Sequence, residues 1–159
     1  MRGLANPNGT YTLANLRAAK GRRIGGSSAG WVMVIIYENP TMPAKFISTF
    51  DGYVGVQGNV TADINVNGFV TLPPPFPVRA KLGVGALEGD YEITGDRLRI
   101  KANSLATFTD VSNTVNPANN FFNSSITNNN AQVPTRNPYG TNTLGLDLDM
   151  LNLSKHVDH

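Results

Sequence analysis

The chain has 159 residues, a formal net charge of +2 and no cysteine. This length suffices for one domain with a buried core, and we expect residues 1–159 to fold as a single domain. The lack of cysteine excludes disulfides, a cysteine zinc site and a thiol nucleophile. The small, dispersed charge does not predict nucleic-acid binding, and no apolar run approaches the roughly 18 residues that cross a membrane.

The polar composition is typical of a turn-rich β protein. Charged residues make up 15% of the chain, which is below the roughly 25% of an average domain. Their place is taken by 19 Asn, 16 Gly and 10 Pro, which favour turns. The first residues do not have the pattern of a signal peptide, so a secreted form is expected to be an excised module or a mature chain.

One short helix is predicted over about residues 12–20. Thr12 is a suitable N-cap, and Leu13 and Leu16 share one helical face. Gly21 stands where a helix-terminating glycine belongs.

The next three segments are predicted as strands. Residues 31–37 are continuously apolar and end at an Asn-Pro turn signal, which favours a buried central strand with Trp31 in the core. Residues 44–53 and 59–72 alternate between apolar and polar positions, as a strand with one buried face does.

The second half of the chain adds further predicted strands. Residues 78–87 and 96–102 read as two strands joined by a Gly- and Asp-rich loop, residues 121–126 as a short strand, and residues 142–151 as the closing strand. Seven or eight short strands with turn signals between them predict an all-β fold. The expected architecture is an antiparallel β-sandwich, jelly-roll or immunoglobulin-like, with one short N-terminal helix.

Two segments are predicted to add little to the core. Residues from about 127 to 141 are expected to form an Asn-rich loop, because their few apolar side chains cannot offset the entropy cost of ordering. Residues from about 154 to 159 are expected to form a mobile tail.

The closing strand, "NTLGLDLDML", alternates with a period of two. Its apolar positions are expected to face the core, and they are Leu144, Leu146, Leu148 and Met150. Asp147 and Asp149 are then expected to face solvent or a neighbouring loop. The opposite register would bury both carboxylates, and each unpaired one would cost several kcal/mol.

Carboxylates in the loop that begins at residue 88 and in the closing strand are candidate calcium ligands. They are Glu88, Asp90, Asp96, Asp147 and Asp149. Calcium binds about six to eight oxygens, so two carboxylates on one strand need ligands from elsewhere. Asp beside Gly also satisfies ordinary turn amides. The residues therefore leave both a calcium site and a turn without metal open, and no other cofactor is predicted.

No catalytic constellation is predicted, and we expect the chain not to be an enzyme. A carboxylate pair for glycoside hydrolysis needs a substrate cleft that the sequence does not indicate. The histidines, His156 and His159, fall in the predicted tail. Lys81 and the many Asn also permit an intramolecular Lys–Asn amide. One of the adjacent Phe121 and Phe122 could face outward and contact a glycan or a protein.

Four blocks of sequence resemble a module that recurs in large secreted bacterial surface proteins of the adhesin type, often from Bacteroidetes and actinobacteria. They are "AGWVMVIIYENPTMPAKFISTFDGY", "VRAKLGVGALEGDYEITGDRLRI", "NPANNFFNSSI" and "RNPYGTNTLGLDLDML", and they lie within residues 29–151. The resemblance implies an extracellular β-sandwich at the bacterial cell surface.

The resemblance and the residues together leave three functions open. The first is a non-catalytic structural or adhesive module whose partners are neighbouring domains or copies of a surface protein. The second is a carbohydrate- or calcium-binding module that uses the loops at residues 88–96 and 119–142. The third is a self-assembling filament or coat subunit.

Overall fold

The computed structural model describes residues 6, 8–15, 17, 21, 30–87 and 89–157. These residues form an all-β structure, which confirms the predicted class. The strands are β1 (Lys81–Leu87), β2 (Arg99–Ile100), β3 (Thr109–Asp110), β4 (Ile126–Asn128), β5 (Ala131–Gln132) and β6 (Leu146–Asn152). None of the described residues forms a helix that could cross a bilayer.

The strands form two sheets, and the larger one is mixed. Its order is β1-β6-β4-β5, and β2 pairs with β3 in a separate two-stranded sheet. All pairs are antiparallel except β4 and β6, which are parallel. The prediction of a purely antiparallel fold is therefore wrong at this pair. Parallel neighbours need a crossover of about a dozen residues or more, and residues 129–145 provide one.

The hydrophobic core lies against one face of the four-stranded sheet. Its buried members are Val111, Phe121, Leu151 and Leu153. Partly buried side chains from the segment that enters β1, from β1 and β2 and from the following loops pack around them, namely Ala80, Leu82, Val84, Leu98, Ile100 and Phe122. The sheet face that contacts this core is called the inner face.

Strand β6 presents the opposite face to the one that its apolar pattern predicts. The inner face is made by alternate residues, namely Asp147, Asp149, Leu151 and Leu153. Leu144 is 90% exposed, Met150 is 42% exposed, and Leu146 and Leu148 are half-buried. The predicted orientation of both aspartates is therefore wrong, because Leu151 and Leu153 share their parity and are the residues that join the core.

The predicted N-terminal helix is not seen. Residues 12–15 and Arg17 are not helical, and the other residues of the predicted helix lie outside the described part of the chain. Asn15 has a φ of 60°, which is left-handed and cannot continue a right-handed helix.

The three strands predicted between residues 31 and 72 are also not formed. Trp31 is 52% exposed, and every described residue from 30 to 77 except Ala62 is exposed. The turn predicted at Asn39-Pro40 is formed, since the Met42 amide donates a hydrogen bond to the Asn39 carbonyl at 3.1 Å. What the segment lacks is a partner strand among the described residues, and a strand needs one to pair its backbone groups.

Part of the predicted Asn-rich loop is a β-hairpin instead. Strands β4 and β5 pair across it, and the buried Thr127 belongs to β4. The Asn129 amide donates to the Met150 carbonyl at 2.6 Å, which ties the hairpin turn to β6. Thr127 is therefore a buried member of a stretch that is predicted to add little to the core, and the small contribution of the whole stretch to stability stays a prediction.

The start of the predicted tail returns to the sheet. The Ala80 amide donates to the Ser154 hydroxyl at 3.2 Å, and the Leu153 amide donates to the Ala80 carbonyl at 2.9 Å. Residues 158 and 159 lie outside the described part of the chain. The mobility of the tail stays a prediction.

Candidate functional site

Two buried carboxylates on β6 form the most unusual polar site of the described residues. Asp147 is 0% exposed and Asp149 is 3% exposed. They are two positions apart on one strand face, so their backbones lie about 6.5–7 Å apart. Within the described residues, neither carboxylate forms an ion pair with Lys or Arg. Their hydrogen bonds come from uncharged groups, which are the side chains of Asn116 and Thr127 and the backbone amide of Ser125.

Asp149 is held by two side chains from other segments. Its Oδ1 accepts hydrogen bonds from Asn116 Nδ2 at 3.0 Å and from Thr127 Oγ1 at 2.5 Å. Asn116 Nδ2 also donates to the Phe121 carbonyl at 3.0 Å, and its amide oxygen lies 3.1 Å from Thr127 Oγ1. The loop before β4, β4 itself and β6 thus meet in one buried group of three polar side chains.

Asp147 is held by the backbone of the segment before β4. Its Oδ1 accepts the Ser125 amide at 3.1 Å. The neighbouring Ser124 hydroxyl donates to the Gly89 carbonyl at 2.5 Å and accepts the Gly145 amide at 2.9 Å. The second oxygens of both aspartates, Oδ2, are buried and have no hydrogen-bond partner among the described residues.

This environment raises the pKa of both acids above that of an exposed carboxylate. The pKa of Asp147 is raised from 3.8 to about 6, chiefly by burial and to a smaller extent by the charges of Asp149 and Asp96, while backbone hydrogen bonds from Ser125 and Ser124 oppose the rise. Burial also raises the pKa of Asp149, against the hydrogen bonds from Thr127 and Asn116. A buried pair of like charge without a cation therefore holds protons more tightly than exposed carboxylates do.

The backbone of Gly89 lies directly against the Asp147 carboxylate. A Cβ added at this buried glycine would lie 2.0 Å from Asp147 Oδ2 and 2.5 Å from the Phe122 carbonyl oxygen. No side chain fits there unless the loop moves away from β6.

Gly89→Ala is expected to lower the free energy of unfolding by about 1–3 kcal/mol, as overpacking of a well-filled site does. Urea denaturation measures this change. Gly52→Ala is the matched control, because nothing lies within 4 Å of its added Cβ, and it should change the stability by less than about 0.5 kcal/mol. Equal stabilities of the two variants would show that the backbone does not approach Asp147 this closely.

The structure places two of the five candidate calcium ligands, Asp147 and Asp149, side by side on one face of β6. Asp96 lies close enough to raise the pKa of Asp147, and its Oδ1 accepts the Phe122 amide at 2.8 Å. Asp90 is exposed, and Glu88 lies outside the described residues. In the described part of the chain, no three His, Asp or Glu side chains are arranged to hold a metal ion. A calcium site that includes Glu88 stays a prediction.

The other residues considered for chemistry or binding lie apart from this site. Phe121 is fully buried. Phe122 is half-buried and packs edge-on against it, with 5.1 Å between the ring centroids, so the ring predicted to face outward is only partly exposed for contact with a glycan or a protein. Lys81 is exposed and pairs across the sheet with Asn152. The backbone amide of His156 donates a hydrogen bond to the Leu153 carbonyl and closes a turn. His159 lies outside the described residues.

Sequence reasoning missed the partners of the two aspartates. Asn116, Ser124, Ser125 and Thr127 are all buried polar residues. The signal available was the parity of Leu151 and Leu153 with Asp147 and Asp149, together with a long segment rich in Asn, Ser and Thr. Such a segment can supply the hydrogen bonds that a buried carboxylate needs.

No protein-family model, curated protein or solved structure matches this chain. Its resemblance to a bacterial surface module therefore rests on the sequence blocks alone.

Proposed function

We propose that this chain is a non-catalytic structural module of a secreted bacterial cell-surface protein, and that it works by packing against neighbouring copies. The observation that carries the proposal is the extent of exposed apolar surface between residues 31 and 72. Large apolar side chains throughout this segment are exposed, among them Ile36, Ile47 and Ile64. Large apolar side chains that stay exposed in such numbers favour an interaction site over a free surface.

The outer face of the four-stranded sheet is a suitable partner surface. It is apolar and half-exposed, and it consists of Leu87, Ile126, Leu146, Leu148 and Met150 beside Gly83 and Gly85. Val32 of the same chain lies beside this face. Its Cγ2 atom is 3.9 Å from the position that a Cβ added to Gly85 would occupy. We propose that the segment of residues 31–72 from a neighbouring copy covers this face, which would complete the two layers of a β-sandwich.

A filament subunit is the second candidate. The donated segment and the outer face are different surfaces of the same chain, so successive copies can join head-to-tail, whereas a reciprocal exchange of segments gives a closed dimer. A head-to-tail contact gives an open filament unless its rotation closes a ring.

The test measures molecular mass by light scattering over a range of protein concentrations, on the chain as it stands. We expect the mass to rise with concentration. Ile36→Asp combined with Ile64→Asp should keep the chain monomeric, because each places a charge in an interface that must be dry. The matched control is Thr61→Asp, an exposed polar position between them, which should still associate.

Particle size separates the outcomes. Growth without limit supports the filament, and a fixed oligomer supports a closed assembly of modules. A monomer at all concentrations with a radius of gyration near 15 Å, the value for a compact chain of this length, would overturn the assembly proposal. In that case the segment of residues 31–72 would pack on its own sheet.

A further inference from the structure

Asp149 and the two buried side chains that bind it supply the group types that acyl transfer needs. Thr127 supplies a hydroxyl, Asn116 supplies a carboxamide and Asp149 supplies a carboxylate. All three are at most 3% exposed. Nucleophilic catalysis needs a hydroxyl in hydrogen-bond contact with a base, at about 2.6–3.2 Å, beside an electrophilic carbonyl.

We infer that Thr127 and Asn116 join in an intramolecular ester, with Asp149 moving the proton. This bond would link the loop before β4 directly to β4, eleven residues further along the chain. The inference does not depend on how copies of the chain associate.

One oxygen of Asp149 contacts both groups between which the proton must move. Its Oδ1 lies 2.5 Å from Thr127 Oγ1 and 3.0 Å from the amide nitrogen of Asn116. It can therefore take the proton from the attacking hydroxyl and then give it to the departing nitrogen, which is the role of a base that becomes the acid.

The reaction balances without a co-reactant. Thr127 Oγ1 forms a bond to the side-chain carbonyl carbon of Asn116 while its proton passes to Asp149. The bond from that carbon to the amide nitrogen then breaks, the proton on Asp149 goes to the nitrogen, and ammonia leaves. Asp149 ends in its starting state, and the ester is the sole new bond.

The surroundings favour both the formation and the survival of this ester. The hydroxyl and the carboxamide are already in contact, with 3.1 Å between Thr127 Oγ1 and the amide oxygen, so little freedom is lost on reaction. Burial keeps water from hydrolysing the product. The second amide hydrogen of Asn116 is fixed by the Phe121 carbonyl, which orients the group.

A covalent link at this position would suit a chain without cysteine. Disulfides stabilise chiefly by limiting the unfolded state, and this chain can form none. An ester between the loop and β4 would close a short ring with the same effect.

Mass spectrometry of the purified, folded protein tests the inference directly. Trypsin cuts after Lys101 and Arg136 and at no site between them, so residues 102–136 form one peptide that contains both linked residues. We expect this peptide to be lighter than its sequence mass by about 17 Da, one ammonia. We also expect no backbone fragment ions from cleavage between residues 116 and 127, because the ester closes a ring around them.

Variants assign the role of each group. Thr127→Ser keeps the hydroxyl and should keep the loss of ammonia, whereas Thr127→Val is nearly isosteric and should abolish it. Asp149→Asn removes the base and should also abolish it. The wild-type mass decides the question even where a variant fails to fold.

Three results would overturn the inference. One is a wild-type peptide of unchanged mass. Another is a loss of ammonia with backbone fragments still present between residues 116 and 127, which would indicate a local succinimide. The third is a loss of ammonia that persists in Thr127→Val.

Discussion

Replacing Phe121 by alanine is expected to lower the free energy of unfolding by about 3–5 kcal/mol. The ring is fully buried and belongs to the core cluster with Val111, Leu151 and Leu153. Its removal would leave a cavity against the inner face of the sheet, and it would also disturb the Phe121 carbonyl that accepts from Asn116. Urea denaturation measures the loss.

Trp31→Ala is the matched comparison for Phe121. Trp31 is 52% exposed, so the loss in the monomer should be smaller, at about 2 kcal/mol or less. The sequence pattern predicts the reverse order of these two effects. A larger loss for Trp31 than for Phe121, measured at a concentration where the chain is monomeric, would mean that residues 31–37 form the core after all.

The stability of the fold is expected to rise as the pH falls from about 7.5 to about 4.5. The pKa of Asp147 is raised from 3.8 to about 6 by burial, so the folded state binds this proton more tightly than the unfolded state does. The resulting stabilisation is fully present below pH 3.8 and is lost as the pH rises through about 6. Its full size is about 3 kcal/mol, and Asp149 contributes in the same direction.

Denaturation curves of Asp147→Asn test this pH dependence. The variant has no charge to bury, so a large part of the change between pH 7.5 and 4.5 should disappear. Asp90→Asn, at an exposed carboxylate, is the matched control and should retain the wild-type profile. A wild-type stability that falls steadily between pH 7.5 and 5 would contradict a raised pKa at this site.

The strands that the sequence predicted correctly are those with local turn chemistry and a nearby partner. β1 and β6 lie within the predicted segments 78–87 and 142–151 except for the last residue of β6, and β2 lies within 96–102. The Asn39–Met42 turn also forms where the Asn-Pro signal places it. Local backbone preference is sufficient for such features, because proline and glycine restrict or free the chain at the same positions in any fold.

The missed elements depend on distant partners. β3 and β5 have two residues each and no periodic pattern that could be read. Residues 31–37 have the pattern of a buried strand but no pairing segment among the described residues. A hydrophobic pattern indicates that a segment is suited to burial, and only tertiary contacts decide whether burial occurs.

The all-β class, the position of β6 and the shared face of Asp147 and Asp149 all follow from the amino-acid pattern. The period of two fixes which residues lie together, because successive side chains of a strand point to opposite sides. Which of the two faces is the inner one depends on contacts with the rest of the fold. That choice depends on hydrogen bonds from Ser125 to Asp147, and from Asn116 and Thr127 to Asp149. These donors are 22 or 33 residues away in the chain, and they offset part of the cost of burying acids that would otherwise favour water.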